Sequence, residues 1–277
     1  MTILVTGANG NVGREVRAAL KRRGADYRAG VREPSRRRDV RLDYADRETW
    51  GPALEGVTAL FLLMPGGLPR LDETLLPFAD AAQGAGARQT VFLSVAGADR
   101  SRWLPHAKVE AHLVGRPHTF LRPGFFAQNL QDAYLRDIRE DDRLYLPAGH
   151  ARVAFVDLAD VGEVAAAALL DPAAAGEAIH VTGPRTATFA QVAAALGEAT
   201  GRRIDYVPCS PAAYAIHVRR QGRPWGAAAI QTYLHVGLRF GQAEAVHPAQ
   251  EALLGRPPRS VFDYIRDNAA IWRTEPR

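Results

Sequence analysis

The feature that most constrains the fold is a glycine-rich segment at the start of the chain, Thr6-Gly7-Ala8-Asn9-Gly10-Asn11-Val12-Gly13. It follows an apolar run, Ile3–Val5, that is typical of a buried strand, and it precedes apolar residues at helical spacing. In this context three glycines have separate tasks: a tight turn, close approach of the backbone to a pyrophosphate, and close packing of helix on strand. The sequence therefore predicts a dinucleotide site with contacts from Gly7, Ala8, Asn9, Gly10, Asn11 and Val12.

The first half of the chain alternates short β-like runs with amphipathic helical patterns. Such alternation predicts an α/β fold, a Rossmann-type doubly wound parallel sheet with helices on both faces. The second half is less regular and mostly helical. We therefore expect an NAD(P)-binding domain over residues 1–150 and a smaller, mostly helical C-terminal substrate lobe over 151–277, with some of its segments contributing to the sheet.

Composition limits the classes of protein to consider. No apolar run approaches the ~18 residues that span a bilayer, and Met1-Thr2 leads directly into the first strand without a charged leader. The single cysteine, Cys209, excludes an internal disulfide. The net charge of +5 comes with no nucleic-acid-binding motif. We expect a cytoplasmic protein with a small-molecule substrate, no nucleic-acid or membrane partner, and a possible homodimeric state.

The residues after the second predicted strand bear on the choice of dinucleotide. The chain reads Val31-Arg32-Glu33 and continues with arginines at 36, 37 and 38. An arginine here accommodates the 2′-phosphate of NADP, whereas a carboxylate binds the ribose 2′-hydroxyl of NAD. Arg32 favours NADP(H), and Glu33 keeps NAD(H) as the alternative.

The usual tyrosine–lysine proton-donor pair of short-chain dehydrogenases is excluded by counting. The lysines are Lys21 and Lys108, and four residues before them stand Arg17 and Leu104. In the corresponding region His106 and Glu110 are four residues apart, on one helical face. His106 is a candidate to donate a proton or to hydrogen-bond the nicotinamide ribose, and Glu110 either holds its tautomer or serves the fold.

Two other readings of this region find no support. No third ligand stands near His106 and Glu110, so no metal site is expected. Ser94 does not lie in a nucleophile elbow and is expected at a strand end near the nicotinamide.

Several further segments resemble the NmrA-like family of atypical short-chain dehydrogenases/reductases, especially its NAD(P)H:quinone oxidoreductase-type members. They are Leu121-Arg122-Pro123-Gly124-Phe125-Phe126, Val153-Ala154-Phe155-Val156-Asp157 and Val181-Thr182-Gly183-Pro184. The resemblance implies that Asp43 lies near the adenine, and that Pro123, Gly124 and Phe125 lie on the nicotinamide side. Leu63 and Met64, at the end of the fourth strand, are expected beside the adenine ribose.

Together these patterns predict an NADP(H)-dependent oxidoreductase that transfers hydride to a quinone or a similar conjugated acceptor, with His106 as the candidate catalytic residue. The alternative is a non-catalytic NADP(H)-binding redox sensor that acts through a protein partner, because the tyrosine–lysine pair is missing and the family includes such regulators.

Overall fold

The computed structural model describes residues 1–68 and 70–273. Its strands, in chain order, are β1 (Thr2–Val5), β2 (Asp26–Val31), β3 (Asp39–Arg41), β4 (Val57–Leu63), β5 (Gln89–Leu93), β6 (His118–Pro123), β7 (Phe125–Phe126), β8 (Arg143–Leu146), β9 (Arg152–Val153), β10 (Phe155–Val156), β11 (Ala178–Val181), β12 (Ala187–Thr188) and β13 (Asp205–Pro208).

The helices of the described chain are α1 (Asn11–Arg22), α2 (Trp50–Leu54), α3 (Leu75–Gly84), α4 (Pro105–Leu113), α5 (Asn129–Asp132), α6 (Leu135–Glu140), α7 (Leu158–Leu170), α8 (Phe189–Thr200), α9 (Pro211–Arg220), α10 (Trp225–Leu238), α11 (Gln250–Leu254) and α12 (Val261–Asp267). Short 3-10 turns lie at Arg47–Thr49, Pro172–Ala174 and Ala269–Ile271.

Within the described residues, seven strands form a parallel sheet in the order β11-β6-β5-β4-β1-β2-β3. The strand order reverses beside β1, where the chain goes outward to β2 and β3 and then returns to β4. The predicted Rossmann-type fold is confirmed. Ligands in such sheets bind beyond the carboxyl ends of the strands at this reversal, which is where the glycine-rich segment follows β1.

The chain divides into two compact units, and their limits differ from the predicted boundary at residue 150. The first unit comprises residues 1–123, 158–181 and 249–257, and the second comprises 124–157, 182–248 and 258–277. The physical reason is that α7 and β11 belong to the Rossmann layers: β11 extends the sheet beyond β6, and α7 packs on α1.

In the first unit, α1 and α7 pack with their backbones very close together. A Cβ placed on Gly162 of α7 would lie 2.6 Å from the backbone carbon of Glu15 of α1, so only glycine fits there. The pair is tied further by ion pairs from Arg22 and Arg23 to Glu163, at 2.7 and 3.0 Å. The helix that opens at the glycine-rich segment is therefore fixed by a helix from much later in the sequence.

The second unit has its own apolar core, built from helices and three short strand pairs, β7–β10, β8–β13 and β9–β12. Helix α8 begins with a reciprocal capping box between Thr188 and Gln191, which satisfies two backbone donors at its first turn. At the centre of the core the Trp272 side chain is fully buried, and its indole N–H donates to the Leu130 carbonyl at 3.0 Å.

Candidate functional site: a dinucleotide cavity at the carboxyl ends of β1, β2 and β4

The glycine-rich turn between β1 and α1 is compact because its glycines have no side chains, and the close packing leaves no room for a Cβ at these positions. Gly7 has a φ of +60°, the left-handed region that glycine tolerates best, and the Gly10 N–H donates to the Gly7 carbonyl at 3.0 Å. A Cβ on Gly13 would lie 2.3 Å from that same carbonyl oxygen and 2.8 Å from the Cα of Ala8. The three glycines thus let the first turn of α1 lie directly against the loop.

Two side chains that the sequence analysis did not assign hold this turn in place. The Thr6 hydroxyl donates to the Phe61 carbonyl and accepts from the Leu63 N–H, both at 2.9 Å, which joins the loop to β4. Arg17, on α1, donates to the carbonyl of Ala8 at 3.1 Å and to the side-chain oxygen of Asn9 at 3.3 Å. The loop is therefore held by hydrogen bonds to β4 on one side and to α1 on the other.

A cavity of about 900 Å³ opens above this turn, and all of its walls belong to the first unit. The walls come from the glycine-rich turn and from the segments that follow β2, β3 and β4: Thr6, Gly7, Ala8, Asn9, Gly10, Gly30, Val31, Arg32, Glu33, Leu42, Asp43, Tyr44, Leu63, Pro65, Gly66, Gly67 and Leu68. Seven of the sequence-predicted cofactor residues are among them: Gly7, Ala8, Asn9, Gly10, Arg32, Asp43 and Leu63.

The two residues that decide between NADP and NAD lie side by side on one wall of this cavity. Arg32 and Glu33 are both exposed, and no other side chain in the described part of the chain forms a hydrogen bond or ion pair with Arg32. Arg38, by contrast, pairs with Asp26 at 3.1 Å and lies over the Tyr27 ring. Of these two arginines, Arg32 is the one with a guanidinium group available to an anion.

The segment after β3, the strand next to β2, presents Asp43 and Tyr44 to the same cavity. One carboxylate oxygen of Asp43 accepts the Ala45 N–H at 2.9 Å, which fixes the orientation of the side chain. The Tyr44 hydroxyl donates to the Leu63 carbonyl at 3.0 Å, and burial raises its pKa above the ordinary value. Sequence reasoning missed Tyr44, although its place next to Asp43 at a strand end was an available signal.

The other predicted cofactor residues do not line this cavity. Asn11 and Val12 form the first turn of α1, where Asn11 is exposed and Val12 is buried. Met64 packs against the core of the first unit, since it points to the opposite side from its cavity-lining neighbours Leu63 and Pro65.

Ser94 follows β5 and is almost completely buried. Pro123 ends β6 in the first unit, and Gly124 and Phe125 belong to the second, where the Phe125 ring lies 5.6 Å from that of Phe155.

Glu110 is part of a buried ion pair. Its two carboxylate oxygens accept hydrogen bonds from Arg122 at 3.0 and 2.6 Å, and one of them also accepts the Ser94 hydroxyl at 2.5 Å. This corrects one sequence-based alternative: among the described residues Glu110 forms no hydrogen bond with His106, so it does not hold the tautomer of that ring. Instead it clamps α4 to the ends of β5 and β6.

His106 lies one turn before Glu110, partly buried, with its ring 6.1 Å from the Phe92 ring. Burial lowers the pKa of His106, and the nearby negative charge of Glu110 offsets this only in part. Burial therefore disfavours the protonated form of this imidazole. Sequence reasoning placed His106 and Glu110 on one helix face, but it could not show that Arg122 approaches from β6 to take the carboxylate.

Within residues 1–68 and 70–273, no helix is both long and apolar enough to cross a membrane. In the same residues there is no cluster of three or more histidine, cysteine, aspartate or glutamate side chains that could hold a metal ion.

The fold and the cavity define a Rossmann-type dinucleotide-binding protein, and comparison with known proteins places it in a family. The model of the NmrA-like family matches residues 1–219, and the chain belongs to that family. An NAD(P)H azoreductase from Xenophilus azovorans is 30% identical over 284 residues, which cover 98% of this chain and 99% of the relative.

Two other proteins extend the comparison. A (4-alkanoyl-5-oxo-2,5-dihydrofuran-3-yl)methyl phosphate reductase from Streptomyces griseus subsp. griseus is 32% identical over 288 residues, covering 99% of this chain and 100% of the relative. The crystal structure of an NADPH-dependent quinone oxidoreductase from Escherichia coli, in complex with NADPH, has the same fold with a TM-score of 0.85. It is 24% identical, and the alignment covers 98% of this chain and 99% of that one.

Proposed function

We propose that this chain is an NAD(P)H-dependent oxidoreductase that prefers NADPH and reduces a quinone or a similarly conjugated small molecule. The observation that carries the proposal is the cavity of the first unit, in which the glycine-rich turn and the unpaired Arg32 line the same space. The family supports the same class, since the relatives named above include an NAD(P)H azoreductase and an NADPH-dependent quinone oxidoreductase.

The residues of the cavity fit a dinucleotide in three places. The tight turn at Gly7 and Gly10 brings backbone N–H groups and the positive end of α1 to one point, which suits a pyrophosphate. The guanidinium of Arg32 suits the 2′-phosphate of NADP, and the second carboxylate oxygen of Asp43 can accept a hydrogen bond from the adenine amino group. Leu63 and Pro65 supply an apolar wall between these polar groups.

When bound, the nicotinamide supplies the hydride, so the chain itself has to position the reactants, exclude water and handle one proton. His106 is the proposed residue for that proton. A ring N–H of its imidazole can donate a hydrogen bond to an acceptor oxygen, and in its protonated form the ring can transfer the proton. The clamp on Glu110 by Arg122 fixes α4 and with it the position of His106. Ser94, Pro123, Gly124 and Phe125 remain predicted neighbours of the nicotinamide.

The acceptor class rests on what the relatives have in common. Their names describe reduction of an azo compound, of a quinone and of an oxo-dihydrofuran, in which the accepting double bond is conjugated. Such acceptors take hydride directly and leave a negative charge on an oxygen or nitrogen that then needs a proton. A panel of quinones, azo dyes and unsaturated lactones therefore covers the chemistry that the family suggests.

Fluorescence titration with NADPH and NADH tests the cofactor preference, with Arg32→Ala as the variant and Glu33→Ala as the control. A hydrogen bond to a charged group is worth about 1.5–3 kcal/mol, so Arg32→Ala should weaken NADPH binding by roughly 10- to 150-fold and leave NADH binding unchanged. Glu33→Ala should not weaken NADPH binding. Equal affinity of the unmodified protein for both dinucleotides would contradict the assignment of Arg32.

Turnover separates the proposed enzyme from the alternative of a redox sensor. Oxidation of many equivalents of NADPH that depends on a member of the acceptor panel, and that falls in His106→Ala while NADPH binding is retained, supports the proposal. Tight NADPH binding without oxidation by any acceptor would contradict catalysis and favour the redox sensor.

A further inference from the structure

The second unit carries an apolar surface on helix α10 that no described residue covers. Its large side chains, which we call the α10 face, are strongly exposed: Trp225 59%, Ile230 64%, Tyr233 72%, Leu234 48% and Phe240, just after the helix, 82%. The opposite side of α10 is buried through Ala228, His235 and Leu238, so the helix is fully packed on one side and apolar on the other.

The size of the α10 face sets it apart from scattered exposed side chains. Its three aromatic rings alone expose on the order of 400 Å², judged from the 150–250 Å² that such side chains bury in a core. The largest apolar patch on a typical monomer is about this size, and it is often functional. No charged side chain occurs between Trp225 and Leu238 to interrupt the surface.

The charges beside the N-terminal end of the α10 face are positive. Between Asp205 and Glu244 the sequence contains no acidic residue. At the junction of α9 and α10 three arginines, Arg219, Arg220 and Arg223, are exposed, and none of them forms an ion pair or side-chain hydrogen bond with the described residues. The α10 face therefore begins beside three unpaired positive charges, which fit an anionic partner.

This charge distribution decides between the possible occupants. A second copy docked by twofold symmetry with the two α9–α10 junctions adjacent would bring the same arginine cluster from both chains together, which is unfavourable. Tryptophan and tyrosine beside arginines are, however, the side chains typical of helices that lie in a membrane interface.

We propose that the α10 face binds the surface of an anionic lipid bilayer. The aromatic and aliphatic side chains enter the boundary between headgroups and acyl chains, and Arg219, Arg220 and Arg223 meet the lipid phosphates. This departs from the sequence-based expectation of no membrane partner, which considered only segments that span a bilayer. The binding is separate from the oxidoreductase proposal, and its test has no catalytic readout.

Sedimentation with vesicles tests the proposal, using phosphatidylcholine alone and phosphatidylcholine mixed with phosphatidylglycerol. The unmodified protein should bind the mixed vesicles, bind the neutral vesicles much less, and be released by salt. The triple variant Arg219→Gln/Arg220→Gln/Arg223→Gln should lose about fivefold in partitioning per arginine, or about 100-fold in all. Trp225→Ser/Tyr233→Ser/Phe240→Ser should lose binding to both kinds of vesicle.

Matched controls keep the result specific to the α10 face. Trp103→Ser removes a side chain that is 95% exposed in the first unit, and Arg136→Gln/Arg203→Gln/Arg266→Gln removes the same three charges elsewhere. Both should bind like the unmodified protein. Circular dichroism checks folding of every variant, and folding should be retained because the substituted side chains are exposed.

Three outcomes would overturn the proposal. They are failure of the unmodified protein to bind mixed vesicles, equal loss of binding in the control variants, and unchanged binding in both α10-face variants. Sedimentation velocity without lipid adds a fourth: a dimer that the aromatic variant dissociates, together with no vesicle binding, would assign the α10 face to a second copy of the chain.

Discussion

Replacing Gly13 by alanine tests the assignment of the glycine-rich turn most directly. On helix propensity alone the change should stabilise α1 by about 1 kcal/mol, because alanine is the better helix former. The structure predicts the opposite sign. The new Cβ would lie 2.3 Å from the Gly7 carbonyl oxygen, and ordinary contact begins at 3.4 Å, so the loop and the helix must separate by about 1 Å.

The free-energy cost of that separation can be measured against a control substitution of glycine by alanine that gains the same helix propensity without a close contact. Forcing an extra methyl into packed structure costs about 1–3 kcal/mol. A Cβ on Gly51, in helix α2, meets nothing within 4 Å. We therefore expect Gly13→Ala to be about 1–3 kcal/mol less stable than Gly51→Ala. A displacement of about 1 Å at a positioned site can cost about 100-fold in function, so NADPH affinity should fall by at least about tenfold in Gly13→Ala alone.

Urea unfolding measures the first effect and fluorescence titration with NADPH the second. The stability measurement does not depend on the proposed cofactor, so the two parts of the reasoning are tested separately. If Gly13→Ala were as stable as Gly51→Ala, the close contact between loop and helix would be refuted. If it lost stability but kept NADPH affinity, the assignment of the turn to the pyrophosphate would be wrong.

Two further predictions concern buried polar groups. Glu110→Gln should lower the free energy of unfolding by about 3–5 kcal/mol, because among the described residues it leaves the buried Arg122 guanidinium with only Asp99, at 3.7 Å, as an acidic partner. Glu140→Gln, which breaks an exposed pair with Arg136, should have no measurable effect on unfolding by urea, and an equal effect of the two would refute the argument. Burial lowers the pKa of His235 to about 4, whereas the unfolded chain takes up its proton near pH 6.5, so stability from this group is lost as the pH falls between these values, by up to about 3 kcal/mol. In His235→Gln, which keeps an acceptor for the Tyr134 hydroxyl, unfolding measured from pH 7 to pH 4 should depend less on pH; identical pH profiles would show that His235 is not the source.

The fold could be predicted from the sequence because its signals are local. The apolar run Ile3–Val5 predicts a strand and forms β1, and the helical spacing after the glycine-rich segment predicts a helix and forms α1. The short strand β8, Arg143–Leu146, was missed, since it pairs only with β13, some sixty residues later, and four residues carry too weak a pattern on their own.

The positions of site residues could be predicted where a side chain follows a strand. They could not be predicted where the contacts come from side chains on neighbouring strands. Arg32 stands directly after β2, so the rule for the carboxyl edge of a parallel sheet placed it near the cavity. Asp43, two residues after β3, was expected there from the family resemblance. The partners of Glu110 were not foreseen, because Ser94 and Arg122 reach it from two neighbouring strands whose register the sequence does not state. The NmrA-like resemblance is confirmed, whereas the roles of the individual site residues remain predictions.

The cavity and the scaffold that holds it are completed at different times during synthesis. All cavity residues lie within the first 68, but α1 receives its partner α7 only at residues 158–170, and the first unit is completed by residues 249–257. A ribosome-bound chain that has just finished β6 therefore exposes the face of α1 that α7 will cover, including the backbone at Glu15 that Gly162 will contact. We therefore expect the dinucleotide site to mature late although it is encoded first, and a fragment that ends at Pro123 to lack the support that α7 gives α1.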